Sequence, residues 1–465
     1  MTPTLTSTFA EIVLALSIPL SIGLFFLMRP LPAALIVAFA SDMFLPEGPS
    51  YHIPFLPLFN KHNLPYVCIL IGCLLRSPRT VTRLPKEKWF VVLSALALLG
   101  GAATGLTNGD AFPCGEDVLP AMTFKDGMSA AMITFVQACV TFYVGYALVR
   151  TPEALEKVLL GLAIAGLVYC PFAILEMRLS PQLHGWIYGY GLGGWEMTRR
   201  WGGYRPSAFM PHGLALARFF MGTTLALFVV AKYRRVLFGV PVRLLAWFHA
   251  VVLVLCRSTG AILLGAIGIL LLTFARPKRQ LLVGALLAWF TILYPLFRSV
   301  DLFPAATVLS LFGEIHEERR DSLAFRFQNE DTLLTHARQR IVFGWGTYGR
   351  NRVCDDRGRD NTTTDGQWII ILGVSGVAGF LVGFGVLVYP VLRARRVLHD
   401  YPDNKEKLQL AGLALILALQ AVDLIPNALW LYYPYFLAGA LARRLRDSAP
   451  AASKHMQARG PAQPS

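Results

Sequence analysis

Four side chains in this sequence have the type and the setting to do chemistry at the edge of an apolar phase: Arg205, Arg257, Arg326 and Asp365. Arg205 stands in GGYRPSAFMPHGLALARFF, beside a small-residue turn and Pro206 and Pro211, immediately before an apolar run. Arg257 lies in the tight turn CRSTG, between two apolar runs. Each can be an interfacial arginine whose stem lies on apolar surface while its head reaches water. A guanidinium fixed in such a turn is also an anion ligand, because its fork fits two phosphate oxygens at once, and several forks can hold a pyrophosphate. Arg326 opens RFQNEDTLLTHARQR, a helical pattern that also carries His336, Arg338 and Arg340. An exposed helix face accounts for these arginines, and a structural role accounts for His336. His212, at the end of RPSAFMPHG, is a further candidate, and so is Arg218 within the following apolar run, where a charge is costly and seeks a polar cavity or partner. Asp365, in TTTDGQW one turn before another apolar run, can cap that helix or take a proton from a hydroxyl.

The elements that must position these residues are set by composition. The chain has 465 residues, 55% hydrophobic and 15% charged, too little charge to cover a soluble protein of this size. Repeated apolar runs near the roughly 17–25 residues of a bilayer span predict an all-α, polytopic helical membrane protein with about twelve or thirteen spans. They fall at 11–28, 31–46, 56–75, 89–106, 128–149, 155–176, 211–231, 242–256, 260–275, 280–297, 368–392, 408–425 and 428–442. The first lacks a basic leader and a small-residue cleavage site, and reads as a retained span. Basic loops at 76–88, 232–243, 276–279, 393–407 and 443–446 alternate with poorly basic ones and belong on the cytoplasmic side. They account for much of the +15 net charge without any nucleic acid.

The opposite face then receives 47–55, 107–127, 177–210 and 298–367, the last two long enough to be functional. The expected organisation is a bundle over 1–297, an outer loop over 298–367, terminal spans over 368–446 and a disordered tail over 447–465. Within the large loop, GWGTYG (344–349) has the spacing of a dinucleotide fingerprint, but no strand precedes it and no αβ unit follows. It reads as a tight turn packing the loop against the membrane end. Trp186, Tyr188, Tyr190, Trp195, Trp201 and Tyr204 suit an interfacial aromatic belt or the stacking of sugar rings. Cys114 and Cys354 alone fall in outer loops, where an oxidising compartment permits a disulfide and two free thiols are the alternative. No zinc pattern, Walker motif or nucleophile elbow appears, and no cofactor is called for.

The order of these motifs resembles the O-antigen ligase and O-antigen polymerase superfamily of bacterial lipid-linked glycosyltransferases. The resemblance runs from RPSAFMPHG through CRSTG and the penultimate loop with Arg326 and GWGTYG to TDGQWIIILGVSGVAG, roughly residues 200–380. It implies a metal-independent glycosyltransferase of the bacterial inner membrane, with its large loop outside and its C-terminus in the cytoplasm. The donor it implies is an undecaprenyl-pyrophosphate-linked oligosaccharide reached from membrane lipid, with a flippase or a chain-length regulator as protein partner. Arg205, Arg257 and Arg326 would hold the pyrophosphate and Asp365 would act at the acceptor. Ligases show His followed by Asn where this chain has Asp365-Gly366, which leans towards a polymerase. The alternatives are a ligase acting on lipid A-core, and a transporter or flippase of a lipid-linked or anionic substrate, for which Arg218 and Asp423 within spans would be suited.

Overall fold

The computed structural model describes residues 6–53, 57–82, 84–85, 87–193, 198–313, 317–399, 401–402, 404–428 and 431–458, with side chains described outside 311–319 and 449–458. The N-terminal helices are α1 (Thr8–Leu27), α2 (Pro30–Phe44), α3 (Leu64–Arg76), α4 (Pro78–Val81) and α5 (Lys88–Thr107). A longer element follows, α6 (Phe124–Thr134) continuing through a π-helical turn, Phe135–Val140, into α7 (Thr141–Leu148). Next come α8 (Pro152–Leu179), α9 (Leu183–Tyr188), α10 (Gly213–Val230), α11 (Val242–Leu255), α12 (Thr259–Phe274) and α13 (Pro277–Ser299). The large loop holds α14 (Ala305–Gly313) and α15 (Glu317–Arg338), and the chain closes with α16 (Gln367–Leu398), α17 (Lys405–Asp423) and α18 (Tyr433–Ala458). The strands among the described residues form three short antiparallel pairs in loops.

Seven of these helical segments are long and apolar enough to cross a membrane: α1, α5, Phe124–Leu148, α8, α10, α13 and α16. Helices α2, α3, α11 and α12 are shorter but apolar. The protein is a helical membrane protein. Each apolar run read from the sequence falls on a helix, with one difference. Helix α3 begins at Leu64 and not near 56, because Asn60 and Asn63 bind neighbouring backbone groups and Pro65 sits in its first turn. Helix α18 runs from Tyr433 to Ala458.

Helix α10 is apolar on every side and is correspondingly buried from Ala215 to Val230, against α8, α11, α12 and α17. Its start is therefore a fixed point, and the Arg205 turn leads directly into it. His212 caps it, accepting from the Leu214 N–H at 3.1 Å.

Two of the contacts that fasten the large loop to the bundle bear most on the site. On α15, Glu330 accepts from Tyr294 of α13 at 3.0 Å and from Trp368 of α16 at 3.3 Å, with Arg298 3.3 Å away. Burial pushes the Glu330 carboxyl up from its ordinary value, against the pull of Arg298 and the two donors. The second fastening is the GWG turn. Trp345 N donates to Gly373 O at 2.8 Å and Gly346 N to Val374 O at 2.9 Å. They meet α16 where it breaks, at Gly376 with φ 62° and ψ −163°, a conformation open essentially to glycine alone. The turn packs the loop onto a membrane helix, as its composition suggested.

Candidate functional site

Around the Arg205 turn the local chemistry is unusually well determined. Glu176, near the end of α8, accepts from the N–H groups of Ser207 at 2.8 Å, Ala208 at 2.6 Å and Leu183 at 3.0 Å. The Tyr169 hydroxyl accepts from Phe209 N at 3.0 Å, and Lys61 donates to Phe209 O at 2.7 Å. A turn with so many of its backbone groups paired holds its side chains in place. Arg205 leaves it buried, 5% exposed, and donates from Nη2 to the carbonyl of Arg257 at 3.0 Å. Its Nε is buried without a partner among the described residues. Arg257 has a left-handed backbone, φ 55°, and its Nη1 lies 3.4 Å from Tyr204 O. The guanidinium packs so closely on Gly203 that a Cβ there would sit 1.8 Å from Nη1.

Arg326 reaches the same region from α15. Its Nη1 donates to Pro426 O at 3.1 Å, and its Nε pairs with Asp365 Oδ2 at 3.3 Å, both side chains 33% exposed. Three residues on, Asn329 accepts from Thr363 N at 2.8 Å, so residues 326, 329 and 330 present one helical face to the segment that opens α16. The Arg205 guanidinium is held down at about 10, chiefly by burial and then by repulsion from Arg200 and Arg326. It remains a cation at neutral pH, with other cations beside it. Such a cluster favours an anion.

The structure thus brings together Arg205, Arg257, Arg326 and Asp365, which lie far apart in sequence. Asp365 does not cap α16: the cap position is Gly366, with no side-chain cap bond. Its carboxylate turns to Arg326 instead. Arg218 lies beneath this group, fully buried, bonded through Nη2 to Gln420 O at 2.8 Å and 3.6 Å from Asp423, which also accepts from Asn427. Two candidates lie elsewhere. His336 stacks on Trp345 at 4.4 Å and meets Arg350 O through Nε2, and Arg338 donates to Ser299 O at 2.6 Å. Both serve to pack the large loop. Of the aromatic set, Trp195 lies outside the described residues, Tyr188 donates to the carbonyl of Phe44 at the end of α2, and Tyr190 donates to that of Glu47.

Sequence reasoning missed Glu176, Arg200 and a charged group in the loop before α3. There Lys61 pairs with Glu47 at 3.0 Å, and His62 lies 3.3 Å from Glu47 and 3.4 Å from Asp42. Nothing in the sequence pairs Lys61 and His62 with Glu47 and Asp42, which the fold brings to them. Cys114 and Cys354 form a disulfide, with Cα atoms 5.3 Å apart.

Comparison with known protein families and with curated proteins finds no match. The fold defines a helical membrane protein, and the reading of its function rests on the geometry of this site.

Proposed function

We propose that the protein is a membrane glycosyltransferase that transfers or polymerises glycans carried on undecaprenyl pyrophosphate, on the outer face of the inner membrane. Polymerisation is the favoured form, since Asp365-Gly366 replaces the His and Asn of ligases. The observation that carries the reading is the bonding of Arg205 to Arg257 and of Arg326 to Asp365, with Arg326 near enough to Arg205 to repel it. The pyrophosphate oxygens would meet the forks of Arg205, Arg257 and Arg326, which neutralise the charge that grows as the glycosyl–oxygen bond breaks. The acceptor hydroxyl forms the new bond to the anomeric carbon, its proton passes to Asp365, and polyprenyl pyrophosphate departs with the bonding pair. Arg326 pairs with Asp365, so an arriving pyrophosphate would compete for Arg326 and release the carboxylate. The Cys114–Cys354 bond supports an oxidising outer compartment for both loops. A transporter reading would draw on Arg218 and Asp423, which are instead paired with each other and with neighbouring polar groups.

The test is the yield and length of polysaccharide in a strain lacking the native gene. Alanine at Arg205, Arg257 or Arg326 should nearly abolish product while the protein still accumulates in the membrane. Lysine should fall well short of arginine, because it keeps charge and loses the fork. Asp365→Asn should lose about a hundredfold or more, the usual scale for a general base. If Asp365 only steadied Arg326, adding Asp365→Asn to Arg326→Ala would cost nothing further. Wild-type product from all three alanine variants would end the glycosyltransferase reading.

A further inference from the structure

Beside the arginine cluster, bounded by α9, the 189–193 loop and the 204–213 turn, is a cavity of about 920 Å³. That is towards the upper end of the roughly 300–1,000 Å³ found for small-molecule sites. It shares a wall with the cluster. The backbone of Arg205 donates to Thr198 O at 2.8 Å, the Tyr204 carbonyl faces Arg257, and Gly213 lies against the Arg205 side chain, where a Cβ would come within 2.4 Å of Cγ. Thr198, Tyr204 and Gly213 all line the cavity.

The lining is polar and uncharged. Among its described residues there is no Asp, Glu, Lys or Arg, in a chain with a net charge of +15. Ser180, Gln182, Thr198 and Ser207 contribute hydroxyl and amide groups, and Trp186 and Tyr204 contribute rings. Trp186 is 56% exposed, an indole left uncovered on the cavity side of a short helix. The two imidazoles add no charge at neutral pH. Burial lowers the pKa of His184, with Lys61 adding to it, and burial lowers that of His212, with Arg205 and Arg200 adding to it. A ligand suited to such walls has apolar faces to lie on rings and many hydroxyls to pair. A carboxylate entering it would lose water without finding a cation among the described lining residues themselves.

We infer that this cavity is a glycan subsite that takes uncharged sugar units and discriminates against uronate-containing ones. The inference rests on the glycan-transfer reading and adds to it the class of sugar. The loop in front of the cavity supplies the means to test it. A Cβ at Gly191 would meet nothing within 4 Å, and the backbone there is not left-handed, so Gly191→Trp fills open space without straining the chain. Trp186→Ala removes the stacking surface instead.

Purified full-length protein would be applied to an array of immobilised neutral and uronate-containing oligosaccharides, and its retention of radiolabelled inorganic pyrophosphate measured separately. The wild-type protein should bind neutral oligosaccharides about tenfold or more in preference to acidic ones. Gly191→Trp and Trp186→Ala should each lose about tenfold or more of that binding and keep pyrophosphate retention within about twofold. If Gly191→Trp also loses pyrophosphate, it has disturbed the fold, and Trp186→Ala decides. Equal binding of uronate-containing glycans, no glycan binding by the wild type, or unchanged binding by the decisive variant overturns the subsite. Glycan binding without any pyrophosphate retention by the wild type leaves the cavity standing and sinks the transferase reading.

Discussion

His62 and Glu47 show how strongly single residues of the loops depend on their partners. Burial alone would lower the His62 pKa, but Glu47 and the hydrogen bond to Asp42 outweigh it and raise the imidazole from 6.5 to about 9. Burial likewise works against ionising Glu47, and Lys61 with His62 outweighs it, bringing the carboxyl from 4.5 down to about 2. The signs follow from linkage. The His62 contribution to stability is fully present below pH 6.5 and is lost as pH rises through about 9. The Glu47 contribution is present above pH 4.5 and is lost as pH falls through about 2. The thermal transition of the purified protein should therefore fall as pH rises from 6.5 to 9, and His62→Gln should flatten that fall. A variant with the wild-type slope would mean that another group sets it. Neither residue was legible as part of a site, since a short loop with one Lys and one His is ordinary until the fold brings Glu47 and Asp42 to it. Arg205, Arg257 and Arg326 were legible for the opposite reason: a cation flanking an apolar run stands out whatever its partner. Asp365 was undecidable, because a helix cap and a free carboxylate call for the same residue at the same place.

At the scale of elements, the helices follow from apolar runs of membrane length, and these can be read directly. What cannot be read is where such a helix breaks. In LGVSGVAG every glycine is compatible with close helix packing, yet Gly376 alone carries the break, and it does so because the GWG turn supplies the hydrogen bonds that α16 gives up there. Val377 N donates to Ile341 O at 2.8 Å and Ala378 N to Val342 O at 3.1 Å, so the loop backbone continues the pairing across the gap. Gly344 and Gly376 both have positive φ, and a Cβ on either would lie within 2.4–2.5 Å of backbone atoms of the other segment. The positive-φ backbone alone costs a residue with a Cβ about 1–3 kcal/mol, and the overlap adds to it. Gly344→Ala and Gly376→Ala should each lower the thermal transition and expose the large loop to trypsin. Because they disturb one shared contact, the double variant should fall by less than the two effects added. Strict additivity would show that the turn and the break are independent.

For the whole molecule, the decisive question is which face of the membrane carries the arginine cluster. Segments 107–127 and 298–367 are joined directly, and 177–210 meets the turn at Arg257. Cys114 is bonded to Cys354, Arg350 donates to Asp110 O at 2.6 Å, and Arg326 acts on Arg205. The orientation proposed above puts them on one side, opposite the basic loops. The remaining cysteines, Cys68, Cys73, Cys139, Cys170 and Cys256, are buried, so the wild-type chain offers little background to a thiol probe. Single cysteines at the exposed positions Ser322 and Arg357 should react with an impermeant maleimide in intact cells. Cysteines at Thr82 and Lys278, exposed in basic loops, should react only after lysis. Mass spectrometry of non-reduced peptides from the same cells should recover Cys114 joined to Cys354, since a bond closing a separation of 240 residues between two loops survives only where both meet an oxidising compartment. Labelling of Ser322 and Arg357 only after lysis would put the cluster on the cytoplasmic face, where the proposed donor's glycan, already carried across the membrane, could not reach it.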